Sequence, residues 1–213
     1  MQRILPFFLP CLLCAAGSTG AAEPQKPNIL LFYADDLGYG ELGCYGFQEV
    51  PTPHIDSIAA NGIRCTCGYV AAPLCSPSRA GLMTGRYQQR FGHENNNMAT
   101  GRGLPATETT LAERLKTLGY ATGIVGKWHL GKEPGQLPMK RGFDEYFGVF
   151  GNPGSYFTPK GFIDSRFSAE PQTAPPDFYT TDAFAARAAD WIEKHRQAPW
   201  FLYLPFNAVH APH

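Results

Sequence analysis

The chain has 213 residues, with 18 basic side chains against 18 acidic ones and no net charge at neutral pH. That length supports one domain with a substantial core, and the lack of a basic stripe argues against nucleic acid as a partner. Hydrophobic residues make up 44% and charged ones 17%, a globular balance, while 23 Gly and 19 Pro forecast many turns and long loops.

The N-terminus reads as an export signal over residues 1–22. Arg3 supplies the positive region, residues 4–16 are apolar, and Ala21-Ala22 is a plausible cleavage site. The apolar stretch is too short to span a bilayer comfortably, and Pro6 and Pro10 oppose a core helix there. Leu13 stands where a lipoprotein anchor on Cys14 would need a small residue. A secreted or periplasmic location with no stable membrane span follows. Cys44, Cys65, Cys67 and Cys75 remain after cleavage. Cys65-x-Cys67 lacks a second pair or nearby His for a tetrahedral metal; it reads as strand residues, with a disulfide to Cys44 open.

Residues 28–34 hold the continuous apolar run Ile-Leu-Leu-Phe-Tyr, suited to a strand buried on both faces. A helix is expected over 55–60, stopped by Asn61-Gly62, and a second strand over 63–70. Ser76-Pro77 opens a helix through 83, with Ser as N-cap and Pro at the first helical position. Thr110-Leu-Ala-Glu113 is a capping box for a helix ending at Gly119, with Leu111, Leu115 and Leu118 at helical spacing. A strand over 120–125 follows. Residues 126–176 read mostly as loop. A helix over about 182–194 carries Phe184, Ala188 and Ile192 on one face, and the last strand covers 200–206. Strands separated by helices imply an α/β domain, a mostly parallel sheet flanked by helices. Ligands of such sheets sit beyond the carboxyl ends of the strands. Asp35-Asp36, Lys127-Trp-His129 and His210 follow three of the expected strands, so the topology would gather them on one rim.

Each group has a functional and a bland reading. Two adjacent carboxylates after a buried strand are costly unless a cation binds them, and a hard divalent ion such as Ca²⁺ or Mg²⁺ fits; a solvated turn is the alternative. Cys75 at a helix start, one turn before Arg79, is placed to have a lowered thiol pKa; it could equally be a buried structural cysteine. Lys127 and His129 would share a pocket if Gly126 bends the chain, or lie on the surface. His210 could cap the sheet or serve as an acid. His54 and His93 read as loop histidines.

Four motifs together resemble the sulfatase family, part of the alkaline-phosphatase-like superfamily. They are the run from Pro27 through Asp35-Asp36 to Gly40, Cys75-Ser-Pro-Ser-Arg79, Gly126-Lys-Trp-His-Leu-Gly131, and His210-Ala-Pro-His213. Arg141-Gly-Phe-Asp-Glu-Tyr-Phe-Gly148 also looks familial. The resemblance covers about residues 26–213. It implies a sulfuric ester hydrolase in which a formylglycine-generating enzyme oxidises Cys75 to formylglycine, whose hydrate attacks sulfur. Asp35, Asp36 and residue 75 would bind the metal, usually Ca²⁺. Arg79 would hold the attacking hydroxyl, Lys127 the sulfate oxygens, His129 would take a proton from the second hydroxyl, and His210 would protonate the leaving alcohol. Ser155 is a weaker match to a polar residue near the diol. The implied substrate is a sulfated carbohydrate or an aryl sulfate, and Tyr146, Phe147, Tyr156 and Phe157 could stack on sugars or act as packing anchors.

The family's catalytic domain normally continues further, to an Asp-Asn or Asp-His-type pair that completes the metal site, a second Lys and a smaller C-terminal domain. The chain therefore resembles the first part of a sulfatase, and poor solubility and little activity are expected of it alone. A phosphatase or phosphodiesterase of the same superfamily, or an inert or glycan-binding product, are the competing readings; the Cys-x-Pro-x-Arg signal speaks against the former.

Overall fold

Trp200–Pro205 is a strand whose six residues are all buried, which only a position at the centre of a covered sheet allows. The computed structural model describes residues 25–96 and 102–212; the expected export signal and His213 lie outside them. Among the described residues the strands are β1 (Ile29–Tyr33), β2 (Ala121–Lys127), β3 (Glu145–Val149), β4 (Phe162–Asp164) and β5 (Trp200–Pro205), and the α-helices are α1 (Pro53–Asn61), α2 (Cys75–Thr84), α3 (Leu111–Thr117) and α4 (Thr180–His195). The sheet order is β1-β5-β2-β3-β4. All pairings are parallel except β3 with β4.

Side chains alternate across β5. Phe201 and Tyr203 join Ile124, Tyr146, Trp128 and the α2–α3 residues Met83 and Leu115 on one face. Leu202 and Leu204 join Val125, Phe147 and the α4 residues Phe184, Ala188 and Trp191 on the other. The capping box of α3 is present, with Thr110 Oγ1 accepting from the Glu113 backbone N–H at 3.1 Å. Leu118, expected on its apolar face, is 55% exposed, because α3 ends one residue before it.

Several expectations are corrected. No strand forms over 63–70; Ile63, Tyr69 and Val70 are exposed there, since extended composition makes no strand without a ladder partner. Cys44 and Cys65 are free thiols, so the disulfide left open is not formed. β1 is an edge strand of this sheet, with Phe32 55% exposed, because α4 covers β2, β3 and β5 rather than β1. The loop expected over 126–176 contains β3 and β4. Gly148 disguises β3 in the sequence, yet it pairs with Gly126, and a Cβ on it would overlap the Gly126 carbonyl oxygen. Tyr146, Phe147 and Tyr156 are buried packing anchors, and only Phe157 of that group is exposed. His54 belongs to α1, and His93 is buried.

Candidate active site

The ladder between β1 and β5 continues past both strands and draws two of the singled-out segments together. Phe206 N–H donates to Tyr33 O at 2.9 Å, Asp35 N–H to Ala208 O at 2.8 Å, and Val209 N–H to Asp35 O at 2.8 Å. This zipper fixes Asp35 one strand away from His210. On the other side of β5, Trp128 N–H donates to Val149 O at 2.9 Å and His129 N–H to Phe150 O at 2.6 Å. The β2 end is therefore held in register to position 129.

Asp35 is the electrostatic centre. It is 2% exposed, between the fully buried Lys127 and Arg79. Lys127 Nζ lies 2.5 Å from Oδ2 and Arg79 Nη2 3.2 Å from Oδ1. Burial alone would raise its pKa, but the two cations outweigh that and hold the carboxyl below its ordinary 3.8. Arg79 is fixed in turn. Its Nη1 donates to Lys127 O at 2.6 Å, and its guanidinium stacks 4.9 Å from the Tyr33 ring centroid. The Tyr33 hydroxyl lies 2.6 Å from Ser78 Oγ.

Cys75 is the first residue of α2, and Leu74 is the N-cap. Ser76 is thus inside the helix rather than its cap, and Pro77 is third, where its missing N–H is still harmless. The expected low thiol pKa is corrected. Burial, and then Asp35 and Asp36, push Cys75 up, and the charges of Lys127 and Arg79 offset this only in part.

Ligand atoms of Asp35, Cys75 and His210 lie within 4.8 Å of one another. Asp36, with φ 63°, carries its carboxylate to the rim, where Oδ2 is 3.6 Å from His210 Nε2 and the side chain is 52% exposed. His129 also has a left-handed backbone, φ 57°. Burial, then the Lys127 and Arg79 charges, lower its pKa to about 3, so its imidazole is neutral at physiological pH. Ser155 serves its own loop: its Oγ accepts from the N–H groups of Phe157 and Thr158, each at 3.1 Å.

The buried polar atoms test what the site can hold. His129 Nδ1, Arg79 Nε and both side-chain atoms of Asn207 have no hydrogen-bond partner within the described residues. Buried polar groups normally find partners, so this set points to a polar ligand. Two carboxylates suit a hard divalent cation. A thiol is a soft donor and suits it poorly, whereas an oxygen on residue 75 would complete an oxygen-rich set.

Sequence reasoning missed four supports of the site. Tyr156 is nearly buried, its hydroxyl 2.9 Å from the carbonyls of both Asn207 and His210. Tyr33 and Tyr203 flank Arg79, and His93 meets Ser76. A tyrosine in the apolar run next to the acidic pair was the one available signal; nothing local marked the others.

The description Sulfatase belongs to the family model that matches residues 27–213. The N-acetylgalactosamine-6-sulfatase of Canis lupus familiaris is 38% identical over 229 residues, 94% of this chain and 43% of that protein. An arylsulfatase of Klebsiella aerogenes is 35% identical over 214 residues, 92% of this chain and 46% of its own. Among solved structures, Ps i-CgsB superposes with a TM-score of 0.78 at 37% identity, over 88% of this chain and 46% of that one. A phosphonate monoester hydrolase of Agrobacterium radiobacter, 23% identical with a TM-score of 0.63, shares the fold. The chain spans less than half the length of these curated relatives.

Proposed function

Because the chain belongs to the sulfatase family, we propose that the protein hydrolyses a sulfate monoester, most specifically one carried on a carbohydrate, through residue 75 after its conversion from cysteine to formylglycine. The observation that carries this reading is the meeting of Asp35, Cys75 and His210 ligand atoms within 4.8 Å, beside two buried cations that both face Asp35.

Asp35, Asp36 and residue 75 would hold a divalent cation, Ca²⁺ in the first instance, with Mg²⁺ the alternative. When bound it supplies positive charge against which an anionic ester can approach. Formylglycine supplies an oxygen nucleophile where the half-buried thiol is a poor one. Lys127 and Arg79 then do two things with one set of charges. They hold Asp35 ionised, and their remaining donors offset charge spreading over sulfate oxygens. His129, neutral and with Nδ1 unpartnered, accepts a proton at residue 75. His210, 24% exposed at the rim, delivers one to the leaving alcohol. Ser155 would contribute to substrate binding only through the shape of its loop.

The carbohydrate preference rests on the relatives: one acts on an N-acetylgalactosamine 6-sulfate by name, and the solved Ps i-CgsB binds a neocarrahexaose. A formylglycine-generating enzyme is the maturation partner, and export, carried by residues 1–22, would place the protein where such substrates occur. No helix among the described residues is long and apolar enough to cross a membrane. The test is coexpression of the complete reading frame that carries these residues with that enzyme, followed by mass spectrometry of the peptide bearing residue 75 and by measurement of sulfate release from a chromogenic aryl sulfate and from sulfated N-acetylgalactosamine. Conversion with sulfate release, both lost in Cys75→Ala, is expected. Full conversion without release from any sulfate ester would overturn the reading.

A further inference from the structure

His93 is a buried histidine that the chemistry above does not use. It is 5% exposed, and its Nε2 lies 2.7 Å from Ser76 Oγ. The backbone of Gly103 also hydrogen-bonds its ring. Ser76 is the covalent neighbour of Cys75. Its Oγ is 2.6 Å from the carbonyl oxygen of His129, and its N–H donates to Asn96 Oδ1 at 3.0 Å. A carbonyl oxygen can only accept, so the Ser76 hydroxyl donates to His129 O. Burial keeps the His93 ring neutral, and its one N–H is engaged by the Gly103 backbone, so Nε2 is an acceptor that anchors the same Ser76 hydroxyl from the other side.

This chain of contacts ends on a backbone that needs holding. His129 takes φ 57°, a left-handed conformation that a non-glycine residue adopts only when its surroundings impose it. Its N–H is fixed by Phe150 O at 2.6 Å. Its carbonyl is fixed by Ser76. The same hydroxyl therefore ties the turn that carries the nucleophile to the turn that carries the base.

We propose that Ser76 and His93 are positioning residues for His129: the Ser76 hydroxyl, anchored between the His93 ring and the His129 carbonyl, clamps that carbonyl and so sets the imidazole relative to residue 75. This rests on the reading that His129 acts in turnover at residue 75. The pair touches neither the reacting atoms nor the ester, so its effect runs entirely through placement.

The test compares Ser76→Ala, His93→Ala and His93→Gln with wild type, each alone and in a His129→Ala background. Ser76→Ala leaves Cys-x-Pro-x-Arg intact, and mass spectrometry of the residue 75 peptide verifies that conversion is unchanged. Ser76→Ala and His93→Ala should lower kcat for an aryl sulfate about ten- to hundredfold, the scale of a small misplacement, with KM nearly unchanged. His93→Gln, which keeps a polar partner for the Ser76 hydroxyl, should restore most of the loss. In the His129→Ala background neither change should lower kcat further; losses that multiply there overturn the clamp. With histidine carbonyls labelled with ¹³C, the His129 resonance should move upfield in Ser76→Ala as its hydrogen bond is lost, and an unmoved resonance overturns the proposal whatever the turnover. Wild-type kcat in His129→Ala would sink the functional reading instead, leaving the resonance to decide the clamp.

Discussion

Replacing Gly126 with Ala tests whether the close approach of β2 and β5 builds the site. Gly126 has φ 133°, and a methyl there would overlap the Pro205 carbonyl oxygen, with the carbonyl carbon 2.7 Å away against the 3.4 Å at which ordinary contact starts. The obstacle is backbone on the neighbouring strand, so no side-chain rotation relieves it. Strain at that φ costs about 1–3 kcal/mol and overpacking about 1–3 kcal/mol more, which together remove a large part of an ordinary domain's net stability. Trp128, Trp191 and Trp200 are all buried, so tryptophan fluorescence follows urea unfolding directly. At a slope of about 2 kcal/mol per molar urea, the midpoint should fall by roughly 1–3 M. Gly135→Ala is the control: it has no positive φ and nothing within 4 Å of the added methyl, so it should be neutral or slightly stabilising. Lys127 follows Gly126 directly, and any fraction of Gly126→Ala that folds should turn over about a hundredfold more slowly. An unchanged midpoint with normal turnover would refute the argument that this strand contact fixes Lys127.

His129 titrates near 3 when folded and near 6.5 in the unfolded chain. The unfolded state therefore takes up a proton first, and stability should fall by about 1.4 kcal/mol per pH unit as pH drops from 6.5 toward 3. His129→Gln should flatten that slope in urea titrations at successive pH values, and an unaltered slope would show that His129 is not the buried neutral group. Calcium at a hundred times its dissociation constant should stabilise the protein by about 2.7 kcal/mol, or roughly 5–10 °C in melting temperature, with reversal by a chelator. Asp35→Asn should abolish the calcium shift; its survival would place the ion elsewhere.

The sheet and its loaded strand ends were legible because each rests on local information. A continuous apolar run before Asp35-Asp36, a capping box at Thr110 and a buried run before His210 identify strands and helix without knowledge of contacts. The rule that parallel sheets present ligands at their carboxyl ends then places Asp35, Lys127 and His210 together. What could not be read was anything set by a partner far away in sequence. β3 looks like loop because Gly148 has no side chain, and that is the property its packing on Gly126 requires. β1 looks fully buried because hydrophobicity does not reveal which strand lies at an edge. His93 looks like any loop histidine, since its partner Ser76 is 17 residues distant.

The direction of the Cys75 shift has its own consequence for the chemistry. A helix start and an arginine one turn on should activate a thiol, and here they do not. Burial is the main cause, and Asp35 and Asp36 add to it against the opposing charges of Lys127 and Arg79, which Asp35 also engages. Asp35, Asp36, Arg79 and Lys127 cancel in formal charge, so a thiolate would add an uncompensated negative charge to a half-buried position. A neutral group at residue 75 carries no such penalty, and an oxygen donor there suits the same carboxylates as partners on a hard cation. The burial and carboxylates that make Cys75 a poor thiol nucleophile would thus not oppose the carbonyl form proposed for it. Cys75→Ser is the discriminating substitution. It supplies an oxygen of nearly the same size without the aldehyde, so a protein that needs only an oxygen should retain release of sulfate, whereas one that needs the carbonyl should be halted after at most one transfer, with sulfate trapped on residue 75 and detectable as a mass increase of that peptide.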